Sequence, residues 1–125
     1  MKKKRIIIIG GTSGLGLATG KSLSKKGYEV IVAGRTEPKD IGPASYRFID
    51  VTDELSIKNF FDKEEIVSID GLIYSAGIAV KRTPIRDFNR ETYLNVHDVN
   101  LLGALMVFKY CYSFLKLSQG KVVVV

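Results

Sequence analysis

The apolar run Arg5-Ile6-Ile7-Ile8-Ile9 passes directly into Gly10-Gly11-Thr12-Ser13-Gly14-Leu15-Gly16, and a helix-like stretch continues to about Lys26. A buried strand, a glycine turn and a helix start in immediate succession leave few folds open. The strand shows no polar alternation, which argues for a parallel sheet covered on both faces. The helix opening offers amides without intrahelical partners and the positive end of a dipole, so the turn is built to receive an anion. Glycines there let the backbone approach that anion with no Cβ in the way.

The rest of the chain repeats the alternation. Further strands are expected at Glu29–Ala33, Tyr46–Ile49, Leu72–Tyr74 and Lys121–Val125. The first helix should stop at Gly27, because Lys25 and Lys26 suit the negative end of the dipole and glycine suits the left-handed position after it. Gly20, inside that helix, costs about 1 kcal/mol against alanine, acceptable if the helix lies close on the sheet. A second helix is expected over Asp53–Lys63, capped by Thr52 or Asp53, with Ile57, Phe60 and Phe61 inward. A long helical segment should cover Glu91–Leu117, starting at Asn89 and stopping at Gly120, with Leu101, Ala104, Leu105 and Phe108 on one face. Residues Ala79–Asn89 read as a loop. Strand–helix alternation with right-handed crossovers implies an α/β fold of the Rossmann type. Its doubly wound parallel sheet is the middle of three α/β/α layers, with strand order 3-2-1-4-5. Ligands should bind beyond the carboxyl ends of the strands, where the winding reverses.

Composition narrows the function classes. The 125 residues suit one domain spanning 1–125. The one cysteine, Cys111, rules out an internal disulfide and fits a reducing, cytoplasmic setting, with the thiol as a small apolar filler. The net charge of +6 is uneven: seven basic side chains and no acid precede Glu29. Lys2-Lys3-Lys4-Arg5 lacks the interleaved aromatics of a nucleic-acid platform and reads as a solvated chain start beside an anion site. The apolar run behind it is too short for a membrane span. His97 is the only histidine, which excludes a histidine triad or a multi-histidine metal site.

Several residues then point to a dinucleotide. Gly10, Gly14 and Gly16 carry G-x-x-x-G-x-G spacing, with Leu15 between the last two and the hydroxyls of Thr12 and Ser13 at hand for phosphate or capping. Gly20-Lys21-Ser22 imitates the end of a P-loop, but position 15 is leucine where that motif needs glycine. At the end of the second strand, Val32-Ala33-Gly34-Arg35 offers no carboxylate for a ribose diol. Arg35 instead suits the 2′-phosphate of NADP through two parallel hydrogen bonds, with Glu37 as an opposing charge nearby. Asp50 can accept from an adenine amino group while Val51 packs on the ring, or Asp50 can cap the second helix. Ser75-Ala76-Gly77 ends the fourth strand with residues small enough for a ribose to lie against the backbone.

Taken together, the chain resembles the N-terminal half of a short-chain dehydrogenase/reductase. It matches that family's T-G-x-x-x-G-x-G at Gly10, Gly14 and Gly16, with Ile9 in place of the threonine. It matches the Asp-Val pair at Asp50 and Val51. It matches the last two positions of N-N-A-G at Ala76 and Gly77, with Tyr74 and Ser75 in place of the asparagines. Asn100, in Asp98-Val99-Asn100-Leu101-Leu102-Gly103, matches the helical asparagine of the family's catalytic tetrad. The resemblance implies NADP, in preference to NAD, as cofactor and hydride transfer to a carbonyl or from an alcohol. It implies that Asn100 holds a water in a proton relay. It also implies a catalytic serine and a Y-x-x-x-K beyond Val125, so the chain as written is expected not to turn over by the family mechanism. Tyr112-Ser113-Phe114-Leu115-Lys116 has the Y-x-x-x-K spacing but precedes the fifth strand, far along the helix from Asn100. A non-catalytic NAD(P)-binding module is the alternative. An extended-branch epimerase or dehydratase fits less well, since G-x-x-G-x-x-G suits these glycines poorly. The valines of the fifth strand would form an open apolar edge, which implies self-association into a homo-oligomer.

Overall fold

The computed structural model describes residues 2–63 and 66–125. Five strands form one sheet: β1 (Arg5–Ile9), β2 (Glu29–Gly34), β3 (Ser45–Phe48), β4 (Gly71–Tyr74) and β5 (Lys121–Val124). Their order is β3-β2-β1-β4-β5 and each pairing is parallel. Helix α1 (Gly14–Lys25) covers one face, and α2 (Glu54–Phe61) and α4 (Gly103–Ser118) cover the other. A shorter helix, α3 (Arg90–His97), leads into α4 through a π-helical turn at Asp98–Leu102. This is the α/β/α arrangement that the alternation of strands and helices implies.

Parity along β1 divides the core. Ile7 and Ile9 join Ile31, Ala33 and Leu72 against Phe60, Phe61, Val107 and Cys111. Ile8 joins Val30 and Val32 on the opposite face, where Leu23 of α1 packs. Ile7, Ile8 and Ile9 are all fully buried, so β1 reads as continuously apolar because both of its faces are covered. Each such isoleucine contributes about 1.5–3 kcal/mol. Gly20 lets α1 settle on the sheet: a Cβ there would stand 2.7 Å from Val32 Cγ1. Asp53 caps α2 by accepting from the Leu55 amide at 3.1 Å, and Asn89 caps α3 by accepting from the Thr92 amide at 3.0 Å.

Two details depart from the sequence reading. The helix expected over Glu91–Leu117 is interrupted by the π-helical turn, which changes the phase of α4 relative to α3. Leu101 and Leu105 are 51% and 53% exposed, while Ala104, Val107 and Cys111 face the sheet. The left-handed residue that ends α4 is Gln119, at φ 53°, one position before the expected glycine. Gly120 comes next and donates its amide to the Leu115 carbonyl at 2.9 Å. As expected, β5 is an edge strand whose valines are all exposed. The loop expected over Ala79–Asn89 holds one short 3₁₀ turn, Ile85–Asp87. The run Arg90–Ser118 is long and apolar enough to cross a membrane by length and composition, yet Val107 and Cys111 within it are fully buried on the sheet.

Candidate functional site

The carboxyl ends of β1, β2 and β4 converge on one corner. The amides of Gly10 and Gly11 both donate to the Ala33 carbonyl, at 2.9 and 3.2 Å, and the Ser75 amide donates to the Ile9 carbonyl at 2.7 Å. These bonds draw three strand exits together. Gly10 takes φ +85°, and a Cβ there would lie 2.6 Å from Ser75 C and 2.7 Å from Ala76 Cα. Gly16 faces inward on α1, where its own Cβ would run into the Gly10 carbonyl. At Gly10 and Gly16 the turn therefore has no spare volume for a side chain.

Above this corner lies a cleft of about 180 Å³. It brings together Gly10, Thr12 and Ser13 from the glycine turn and Gly34 and Arg35 from the end of β2. Asp50 and Val51 join from beyond β3, and Ser75, Ala76 and Gly77 from beyond β4. Four residues singled out in the sequence stand outside the lining. Gly14 begins α1 at φ +51° with open space around it, Leu15 is exposed, and Gly16 is buried. Asn100 sits in the π-helical turn, behind Gly77. Ile49, Thr52, Ile78 and Val99 also line the cleft and were not singled out as ligands. They are ordinary residue types whose place there depends on the sheet order, so local pattern carried no signal for them.

The charged groups have distinct settings. Ser13 occupies the N-cap of α1 without capping it, and no acid lies in the first helical turn. The positive end of that helix is thus left to an outside anion. Arg35 is exposed, and no described residue forms a hydrogen bond or ion pair with its guanidinium. Asp50 accepts from the Thr52 hydroxyl at 2.6 Å and the Thr52 amide at 3.0 Å. Those bonds, with a smaller contribution from Arg35, hold its carboxyl below the usual range, against the opposing effect of burial. Asp50 is therefore not the helix cap, a place taken by Asp53. Glu37 lies near Tyr46, whose hydroxyl is pushed up by burial first and by Glu37 second.

Asn100 is tied by its side chain to one loop residue. Its Oδ1 accepts from the Ile78 amide at 2.8 Å and its Nδ2 donates to the Ile78 carbonyl at 2.9 Å. One N–H of the exposed amide remains over. The alternative pair, Tyr112 and Lys116, lies toward the far end of α4. That helix begins beside Tyr74 and ends where Ser118 bonds the Ile69 carbonyl, before β4 has started. Tyr112 is nine residues past Gly103, about 13 Å along the axis and away from the cleft.

A glycine turn feeding an uncapped helix, at the switch point of a 3-2-1-4-5 parallel sheet, defines a Rossmann-type nucleotide-binding fold. Residues 4–125 match the short chain dehydrogenase family model, and the chain belongs to that family. It is similar to a 3-amino-tetrahydro-pyrrolizinone reductase of Xenorhabdus hominickii, 30% identical over 136 residues that take in 98% of this chain and 45% of that protein. It is also similar to an NADP-dependent (R)-specific alcohol dehydrogenase of Lentilactobacillus kefiri, 32% identical over 114 residues, 82% of this chain and 45% of that one. Among solved structures it is similar to an NADH-dependent reductase A1-R′ complexed with NAD. That match has a TM-score of 0.83 and 26% identity, over 98% of this chain and 59% of the other. The chain thus spans about half the length of the relatives it matches.

Proposed function

We propose that this chain forms the dinucleotide-binding part of an NADP-dependent oxidoreductase acting on a carbonyl or an alcohol. One observation carries the choice of NADP: the end of β2 offers glycine and then an exposed Arg35 with which no described residue forms a hydrogen bond or ion pair, and no acid stands at either position. A guanidinium holds a phosphate through two parallel charge-assisted bonds, whereas a ribose diol needs an acceptor there. The NADP-dependent relative agrees with this reading, and the NAD complex of the reductase is why it needs a direct test.

The other residues then take definite roles. The opening amides of α1 bind the pyrophosphate. Asp50, held ionised, accepts from the adenine amino group, and Val51 packs on the ring. The backbone of Ser75, Ala76 and Gly77 gives the ribose a flat bed. When bound, the cofactor would donate a hydride to a carbonyl in its reduced form or accept one from an alcohol in its oxidised form. Asn100, with an N–H left after its bonds to Ile78, holds a water for proton transfer. The lone buried thiol of Cys111 supports a reducing, cytoplasmic setting.

Calorimetric titration of NADP and of NAD tests the choice. Arg35→Ala should reduce the preference for NADP roughly tenfold or more, the scale of a lost bond to a charged group. An unchanged ratio would overturn the assignment.

The partners proposed are the nicotinamide dinucleotide, a small carbonyl or alcohol, and a second copy of the chain. Self-association rests on the apolar edge of β5, with Val122, Val123 and Val124 exposed beside unpaired backbone groups. Sedimentation velocity over a concentration series should give a mass above that of one chain, reduced by Val123→Lys. A single-chain mass at every concentration contradicts this part of the proposal.

A further inference from the structure

Gly34 ends β2 at the point where a carboxylate would decide how the ribose is held. Its backbone does not call for glycine, because its φ is not positive. Its surroundings do. A Cβ built on Gly34 meets Thr12 Oγ1 at 2.5 Å, Thr12 Cγ2 at 2.8 Å and Thr12 Cβ at 3.2 Å. Both branches of the threonine fill the space in which any side chain at position 34 has to begin. Threonine is stiff at χ1. Rotation exchanges one branch for the other in most settings, and the threonine Cβ stays close in all of them.

We propose that Thr12 is a specificity-determining residue: from the glycine turn it holds position 34 at glycine and so keeps a carboxylate out of the ribose corner beside Arg35. The proposal rests on the reading of Arg35 as a phosphate ligand and adds a second control to it. Arg35 attracts the 2′-phosphate, while Thr12 prevents the competing acid from being accommodated. Selectivity for the dinucleotide is then shared between two strand exits, and a change at Gly34 alone does not convert it.

Two arms test this on the 125-residue chain. The first uses no nucleotide. Gly34→Ala should lower the melting temperature, and Thr12→Gly should abolish most of that decrement when the two are combined. Comparing increments cancels the separate effect of Thr12→Gly on the turn. The second arm titrates NADP and NAD against Gly34→Asp and against Gly34→Asp with Thr12→Gly. The double variant should shift the affinity ratio toward NAD by about tenfold more than Gly34→Asp does alone. Equal decrements for Gly34→Ala in both backgrounds overturn the proposal. So does a Gly34→Asp variant that shifts the ratio as far as the double one. Failure of the Arg35 reading shows separately, as an Arg35→Ala variant with an unchanged preference beside an intact stability cycle.

Discussion

Gly10→Ala is expected to destabilise the chain by about 2–5 kcal/mol, enough to consume much of a small domain's margin. Two independent costs add. At φ +85° an L-residue pays about 1–2 kcal/mol for its Cβ against the following carbonyl. The new methyl would also lie 2.6 Å from Ser75 C and 2.7 Å from Ala76 Cα, and backbone at the exit of β4 cannot step aside as a side chain can. Overpacking of that kind costs about 1–3 kcal/mol. The melting temperature should fall on the order of 15 °C, since each kcal/mol moves a domain of this size by a few degrees. Gly14→Ala provides the contrast. Its φ is +51° but a Cβ there meets nothing within 4 Å, so only the conformational cost of about 1 kcal/mol remains. Thermal denaturation of both variants decides the point. Similar losses in the two would mean that the contact with the β4 exit carries no weight.

That contact also shows where sequence reading stops. The glycine turn and the helix caps at Asp53 and Asn89 were legible because each arises from residues close together in the chain. The buried run Arg5–Ile9 fixed β1, and the handedness of the crossovers left little freedom in ordering the rest. The cleft was partly legible for the same reason, since its glycines and Arg35 stand at strand exits. The hidden part is non-local. Thr12 against Gly34, Asn100 on Ile78 and Tyr74 on Val99 each join residues at least 22 apart in sequence. No periodicity reports such pairs. The inner face of α4 also differs from the expected stripe: Leu101 lies in the π-helical turn at Asp98–Leu102, and within α4 Ala104 and Val107 are buried while Leu105 is exposed. One signal did exist, because Tyr74 and Ser75 stand where the family carries two asparagines, and a large residue in that place needs room made for it.

Gly103 makes that room, and Tyr74→Ala should therefore be among the most damaging single changes in the chain. The Tyr74 ring is 1% exposed, and its hydroxyl reaches from β4 to donate to the Val99 carbonyl at 2.5 Å. A Cβ on Gly103 would stand 2.7 Å from that hydroxyl, so the glycine is what admits it. Removing the ring leaves a core cavity costing about 3–5 kcal/mol. It also leaves the Val99 carbonyl without its donor, at about 1–3 kcal/mol if that group stays buried. Tyr74→Phe separates the two, since it keeps the ring and should lose only about 1–2 kcal/mol. Burial pushes the Tyr74 hydroxyl up to about 12, which gives the bond a second readout. The folded state retains a proton that the unfolded chain releases near the ordinary tyrosine value of 10.0, so stability is intact below that value and is lost as pH rises toward 12. The parent chain should weaken faster than Tyr74→Phe across this alkaline window. A tyrosine ionisation at about 12 should vanish from the ultraviolet titration of the variant. If Tyr74→Phe matches the parent in both stability and titration, the hydroxyl does not anchor the π-helical turn, and the placement of Asn100 has to be explained by its bonds to Ile78 alone.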